Sequence, residues 1–333
     1  MNIAIKDTDY LGISTRIRAM ENALLTRERM EQVLDARTDE EAAKILQDCG
    51  YGELDPKHPE SMDAAIAAAR EATLRDIADT APDARYIVIF KLKYDYHNIK
   101  AILKAEAMGV SPDHMLTDMG RYRAEELKDA LAKGELDVLS QMLADAAAEA
   151  KDALDTTGDG QLCDAVLDRW CYLDMERVAE ATGSEFLCGY VRAQIDAVNL
   201  RTLVRTMRMG KNNEFLRGVL LTGGEIPMES VLKAGENAGA LGELYEPTRL
   251  AEAAEVGVQA LHGEPLTEFE KLCDDAVSAY LADAQFVPFG EAPLLAYLAA
   301  RETEYTNLRI LLLGRSAGLD ADVIRSRLRA SYV

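Results

Sequence analysis

Apolar residues recur along this chain at three- and four-residue spacing, which is the spacing of one helix face. The stretch 10–26 shows the pattern clearly and predicts a first helix, and the acid-rich opening Thr38-Asp39-Glu40-Glu41 begins a second helix that ends near Gly50. The longest alternating apolar run covers only 86–90 and continues into a helical pattern. The hydrophobic pattern therefore predicts an all-α fold.

The same periodicity predicts further helices downstream, separated by Gly- and Pro-containing breaks. The breaks fall at Pro82, at the predicted turn 155–160, at Gly223-Gly224 and at Pro288-Phe289-Gly290, and 51–59 reads as a loop. Helices are expected over 61–77, 86–108, 162–181, 186–209, 266–284 and 293–317, and several short helices are expected within 126–150.

Three of the predicted helices contain one motif, which we call the acid–Asn motif. An acid precedes an Asn by three residues, a base follows the Asn by two, apolar residues follow by one, four and five, and a Gly follows by eleven. The copies are Asp95, Asn98, Lys100 and Gly109; Asp196, Asn199, Arg201 and Gly210; and Glu304, Asn307, Arg309 and Gly318. A motif that recurs with this spacing indicates an internal triplication.

The motif describes the second half of a long helix. Its apolar positions share one face, and the acid and Asn, three residues apart, also share a face. The Gly ends the helix, because glycine readily adopts the left-handed conformation. Asn is a poor residue for a helix interior, so we expect each Asn to bond something specific and to serve chiefly as an equivalent packing point.

A second repeated segment supports the triplication. The heptapeptide that starts at Met228 resembles the one that starts at Met30. The chain extends 26 residues beyond Asn307, and the same offset from the other two Asn residues falls at two natural breaks. We therefore expect three pseudo-equivalent helical repeats, with bounds 1–124, 125–225 and 226–333.

Composition narrows the function classes. The 333 residues carry a formal net charge of −21, which disfavours a freely exposed nucleic-acid binder. Five Cys without a Cys-x-x-Cys pair suit a reduced cytosolic protein. The N-terminus lacks the apolar core of a signal peptide, and no apolar run approaches the roughly 20 residues that span a bilayer. Any membrane role is expected to be peripheral.

No constellation for catalysis, metal binding or cofactor binding emerges. The segment 155–166 matches a calcium loop for six residues, but its twelfth position is Val166, so the bidentate Glu is missing. The four His lack helical metal-ligand spacing, and Gly223-Gly224 is not followed by the Lys of a phosphate-binding loop. We expect no catalytic, cofactor or metal site.

Basic residues gather on the three motif helices, although the chain as a whole is acidic. A threefold arrangement would bring them onto one surface that receives an acidic or polar partner. The alternative is that they are solvated helix faces. The candidate partner contacts are Lys100, Lys104, Arg201, Arg205, Arg309 and Arg315.

The motif, together with Tyr10-Leu11-Gly12, Arg16-Ile17-Arg18 and the run Leu294-Leu295-Ala296-Tyr297-Leu298, resembles one family over nearly the whole chain. These features look like the central-stalk C subunits of V-type and A-type rotary ATPases, the counterparts of the d subunit in eukaryotic vacuolar ATPases. The third copy departs from the pattern where Leu313 replaces the base found at Lys104 and Arg205.

The resemblance implies a non-catalytic rotor part shaped as a pseudo-threefold helical funnel. Such a part sits on the cytoplasmic side of the membrane, on the proteolipid ring, and holds the D and F subunits of the central shaft. Ring rotation is thereby coupled to ATP hydrolysis or synthesis, and the transported ion is a proton or sodium. Two alternatives are a helical-repeat scaffold for another soluble complex and, less favoured, a helical enzyme with an unrecognised carboxylate site.

Overall fold

The computed structural model describes residues 5–52 and 59–330, and every regular element within these ranges is helical. Short 3-10 segments occur at Asp7–Tyr10, Asp113–Met115, Leu136–Val138 and Asp283–Phe286. The α-helices are α1 (Leu11–Glu21), α2 (Arg27–Asp35), α3 (Asp39–Asp48), α4 (Pro59–Thr80), α5 (Arg85–Met108), α6 (Ala124–Lys133), α7 (Gln141–Thr157), α8 (Gly160–Thr182), α9 (Glu185–Arg208), α10 (Asn213–Val219), α11 (Met228–Ala234), α12 (Ala238–Tyr245), α13 (Ala251–Leu261), α14 (Leu266–Ala282), α15 (Glu291–Ser316) and α16 (Ala321–Arg325). The all-α prediction is confirmed.

The prediction of two helices before residue 50 is wrong, because three form there. The first ends at Glu21. Thr26 then begins α2, since its hydroxyl accepts a hydrogen bond from the Arg29 N–H at 3.3 Å. Thr38 caps α3 in the same way, which confirms the predicted start of that helix. The predicted loop 51–59 lies mostly outside the described residues.

The predicted turn 155–160 is shorter than expected. Helix α7 continues to Thr157 and ends at Gly158, whose φ of 66° is left-handed. Asp159 then caps α8, because its carboxylate accepts from the Gln161 N–H at 2.8 Å. The segment that mimics a calcium loop is thus mainly helical. Helices α10, α11, α12 and α13 were not predicted.

The helices cluster into two compact units. The central unit contains Arg85–Thr202 and Lys211–Leu232, and the terminal unit contains the chain up to Ala84 together with Leu203–Gly210 and Lys233–Val333. Helix α9 contributes residues to both units. The bounds of the three sequence repeats stay a prediction.

In the central unit, α5 packs along α8, and α8 packs along α7. Leu92, Ile99 and Leu103 of α5 and Leu167 of α8 are fully buried. Burial of each such side chain stabilises the fold by roughly 1.5–3 kcal/mol. This packing fixes the first motif helix along its length.

In the terminal unit, the two ends of the chain share one core. Val33 and Leu46 from the N-terminal helices pack in the same cluster as Leu308 and Leu311 of α15. Helix α15 contacts α1, α2, α4 and α16. The third motif helix is therefore buried against helices from the start of the chain. Within the described ranges, no helix is long and apolar enough to cross a membrane.

Candidate functional site

The Asn of each motif binds both polar groups of one backbone residue further along the chain. Its side-chain N–H donates to that residue's carbonyl, and its side-chain oxygen accepts from the same residue's N–H. A carboxamide offers a donor and an acceptor side by side, which matches the two groups of a peptide. The pairs are Asn98 with Thr117 (2.7 and 3.0 Å), Asn199 with Leu221 (2.9 and 2.8 Å) and Asn307 with Arg329 (3.1 and 2.8 Å).

The three Asn side chains are at most 1% exposed. Their backbone partners lie 19, 22 and 22 residues downstream, in segments without regular helical bonds. The Asn thus satisfies backbone groups that no helical hydrogen bond satisfies at these points. The expectation that each Asn bonds something specific is confirmed, and we call each of these pairs of bonds an Asn clamp.

The motif acid sits one turn earlier and binds the segment that leads into a new helix. Asp95 accepts from the Arg121 and Tyr122 N–H groups at 2.8 and 3.3 Å, just before α6. Asp196 accepts from the Glu225 and Ile226 N–H groups at 3.1 and 3.2 Å, just before α11. In both cases the acid fixes the entry to the next helix.

The third acid does the same for the start of the chain. Glu304 accepts from the Leu25 N–H at 3.0 Å, although the two residues are 279 positions apart, and Leu25 precedes α2. The Tyr51 hydroxyl also donates to Glu304. The acids Asp95, Asp196 and Glu304 therefore hold the entries to α6, α11 and α2.

The three acids differ in their cationic partners. Arg121 contacts Asp95 at 2.6 Å and Arg301 contacts Glu304 at 2.7 Å. Among described residues, Asp196 accepts only from the two backbone N–H groups named above. Burial accordingly raises the pKa of Asp196 to about 6. Burial also raises the pKa of Asp95, and the nearby Arg121 guanidinium opposes that rise.

Two glycines make room for the short acids, which the sequence analysis did not anticipate. A Cβ on Gly120 would overlap the Asp95 carboxylate, and a Cβ on Gly224 would overlap the Asp196 carboxylate. The corresponding position before Leu25 is occupied by Leu24, and there the acid is the longer Glu304. In the sequence, a Gly stands four residues before the start of α6 and of α11. These two glycines could have indicated the contacts of Asp95 and Asp196.

Four of the six candidate basic residues form ion pairs with a neighbouring long helix of their own unit. The partner helix is α8, α14 or α4. Pairs of this exposure contribute about 0–1 kcal/mol each. They are Lys100 with Asp168 (2.5 Å), Lys104 with Asp164 (2.9 Å), Arg205 with Glu270 (2.5 Å) and Arg309 with Asp63 (2.9 Å).

The remaining two candidates differ from these four. Arg201 donates to the Ala197 carbonyl of its own helix at 3.3 Å. Arg315 is largely buried and donates to the Val33, Leu34 and Ala36 carbonyls at 2.9–3.0 Å, which caps the C-terminal end of α2. Arg315 thus has a structural role inside the terminal unit. Contact of the six basic residues with a partner stays a prediction.

The chain matches known proteins along nearly its full length. The family described as ATP synthase (C/AC39) subunit matches residues 13–327. The C subunit of the V-type sodium ATPase of Enterococcus hirae is 27% identical over 97% of this chain and 99% of its own length. The C subunits of the A-type ATP synthases of Methanocaldococcus jannaschii and Pyrococcus horikoshii are each 25% identical, over 96% and 91% of this chain and 86% of their own lengths.

We predict that Asn199→Ala destabilises the protein by about 2–4 kcal/mol, because it leaves the buried N–H and carbonyl of Leu221 without partners. Chemical denaturation of the purified chain measures this loss. Asn213→Ala is the control, since Asn213 is exposed in the first turn of α10 and lies in the same unit. Equal stability of the two variants would contradict the role assigned to the Asn clamp.

We predict that Asp196 titrates in the folded protein with a midpoint near pH 6, well above its ordinary 3.8. A raised folded pKa means that the stability contributed by this group is complete below about pH 4 and is lost as the pH rises through 6. The stability difference between wild type and Asp196→Asn should therefore fall between pH 4 and 6. Carboxyl NMR and denaturation across that range measure both quantities, and a midpoint at or below 4 would refute the assignment.

Proposed function

Because the chain belongs to the ATP synthase (C/AC39) subunit family, a family of non-catalytic rotary ATPase subunits, we propose that it is the central-stalk coupling subunit of such an enzyme. In this role it sits peripherally on the cytoplasmic side of the membrane. It joins the proteolipid ring to the D and F subunits of the shaft, and it couples ATP hydrolysis or synthesis to proton or sodium transport.

The observation that carries this proposal is the full-length match. The family covers residues 13–327, and relatives named as C subunits of a V-type sodium ATPase and of A-type ATP synthases align over more than nine-tenths of the chain. A match confined to one group of helices would be consistent with a single shared domain in a protein of a different function. A match over all three copies of the motif favours the same role for the whole chain.

The clamps suit a part that transmits rotation. Each motif helix is tied by its Asn to one downstream segment and by its acid to the entry of another helix. Bonds of this kind at buried, closely packed positions resist small displacements. A stiff body is what a coupling element needs, because an element that deforms under load stores the work instead of passing it on.

The cyclic order of the acid contacts supports the proposed pseudo-threefold arrangement of three repeats. The first acid binds before α6, the second before α11 and the third before α2. A linear array of repeats would leave the third acid without such a partner. This order agrees with the proposed repeats 1–124, 125–225 and 226–333, with α2 of the first repeat held by the third motif.

The test is a reconstitution in cells that lack the corresponding subunit of their own rotary ATPase. With this chain supplied, we expect ATP hydrolysis to drive ion uptake into membrane vesicles. Lys100→Glu or Arg201→Glu should reduce ion uptake several-fold while hydrolysis by the catalytic head persists. Lys133→Glu is the matched control, because among the described residues Lys133 pairs only with Asp129, one turn earlier on the same exposed helix face.

Two results would overturn the proposed function. One is failure of the wild-type chain to bind either the purified ring or the purified shaft pair. The other is full coupling of uptake to hydrolysis in cells that lack the corresponding subunit and receive no replacement. An unchanged ion-to-ATP ratio in both charge-reversal variants would instead refute only the partner contacts assigned to Lys100 and Arg201.

A further inference from the structure

The second motif acid lacks the cation that each of the other two has. In the first copy the cation is Arg121, whose own N–H also binds the acid, and in the third copy it is Arg301, three residues before the acid. The equivalent residues in the second copy are Glu225 and Ala193. Asp196 therefore has no guanidinium beside it among the described residues, and a second carboxylate stands where the first copy has a base.

The acidic groups nearest to Asp196 add to its isolation. Glu225 lies in the segment that Asp196 binds; burial raises the pKa of Asp196, and the Glu225 charge raises it further. Glu176 of α8 lies against Gly223 of the same segment, where a Cβ would come within 2.7 Å of the Glu176 carboxylate. A buried carboxylate among like charges is held less favourably in its ionised form than in its neutral form.

The basic groups of the neighbouring elements do not offset this charge. Arg217 of α10 pairs with Glu229 of α11 at 2.7 Å. Arg192 stands one turn before Asp196 on α9, but its side chain is exposed and is not among the groups that shift the pKa of Asp196. Asp196 is thus ionised in the folded chain only at the cost of a buried, uncompensated charge.

Asp196 also holds the segment between the second Asn clamp and α11. Residues 222–226 are all described, and within them the hydrogen-bonded N–H groups are those of Glu225 and Ile226, both bound to Asp196. Two residues of this segment are glycines, which have no side chain to pack. The entry to α11 is therefore fixed chiefly by this one carboxyl group.

The neutral and ionised forms of Asp196 do not hold the segment equally well. In the closed structure Asp196 is only 6% exposed, so its charge has lost most of its hydration. A neutral carboxyl group keeps oxygen acceptors for the two N–H groups and carries no charge that needs water. When the segment opens, the carboxylate regains water, which favours the ionised form. Ionisation of Asp196 therefore favours opening.

We propose that the second acid site is a pH-sensitive switch: the segment 222–227 and the first turn of α11 stay fixed while Asp196 is protonated, and they open more readily once it ionises. The first and third sites do not respond in this way, because a guanidinium compensates each of their acids. The switch belongs to the isolated chain and does not depend on the proposed function.

Hydrogen exchange of the full-length chain between pH 5 and 7.5, with rates corrected for the intrinsic effect of pH, tests the switch. The pKa of Asp196 is about 6 in the folded chain against an ordinary 3.8. The opening equilibrium should therefore rise about tenfold over this range. We expect the corrected exchange of Glu225, Ile226 and the first turn of α11 to rise by that factor. Exchange around Tyr122, at the first acid site, should change less than about twofold.

Two variants and one control locate the effect. Asp196→Asn removes the titrating group, and Glu225→Arg places a guanidinium where the first copy has Arg121, so both should abolish the rise. Glu180→Arg is the matched control, because it makes the same charge change at an exposed position of α8 in the same unit. It should keep the tenfold rise. Thermal unfolding at pH 5 shows whether each variant is folded.

Four results would overturn the inference. They are a corrected rate in wild type that does not change with pH, an equal rise around Tyr122, a rise that persists in Asp196→Asn, and a rise in Glu225→Arg equal to that in Glu180→Arg. If Asp196→Asn does not fold, the comparison of Glu225→Arg with Glu180→Arg still decides, because both keep the titrating carboxyl group and differ only in where the guanidinium is placed.

Discussion

The connections between the long helices of this fold depend on buried side chains that hydrogen-bond to backbone groups outside any helix. Three Asn residues inside long helices each bind the N–H and carbonyl of one downstream residue, and three acids bind the N–H groups at the entry to another helix. An unpaired backbone group in the same buried position would cost about 1–3 kcal/mol. The long helices can pack closely only because the connecting segments are satisfied by these side chains.

In all three copies of the motif the acid binds backbone N–H groups, but the charged groups beside the acid differ. The first acid has Arg121 beside it and the third has Arg301, while the second relies on backbone N–H groups. A buried carboxylate is stable when hydrogen bonds or a cation replace its hydration, and burial raises the pKa of Asp196 even though its two backbone hydrogen bonds oppose the rise. The two Asp carboxylates also lie directly against Gly120 and Gly224, where a side chain would overlap them. The three copies are therefore equivalent in the backbone contacts that the acid and the Asn make. They differ in the charged groups beside the acid.

The sequence allowed the all-α class, the three motif helices and the left-handed Gly at each helix end to be predicted, because these follow from local periodicity and glycine conformation. The backbone partners of Asn98 and Glu304 could not be predicted, since backbone N–H and carbonyl groups leave no residue signature in the sequence. Helix α2 was missed because Leu24 and Leu25 extend the apolar stripe of α1 past its true end at Glu21. The capping role of Arg315 was missed because a basic residue on a helix reads as solvated until its neighbours are known.

The central claim is that the motif acids Asp95, Asp196 and Glu304 hold the entries to α6, α11 and α2, so that Glu304 fixes the segment around Leu25. Hydrogen exchange measured by mass spectrometry on full-length Glu304→Ala and Asp196→Ala tests it most directly. The account predicts that Glu304→Ala speeds exchange around Leu25 and the first turn of α2, and that Asp196→Ala speeds exchange around Glu225 and α11 instead. Faster exchange confined to the C-terminal segment after Glu304, with the Leu25 region unchanged, would contradict it.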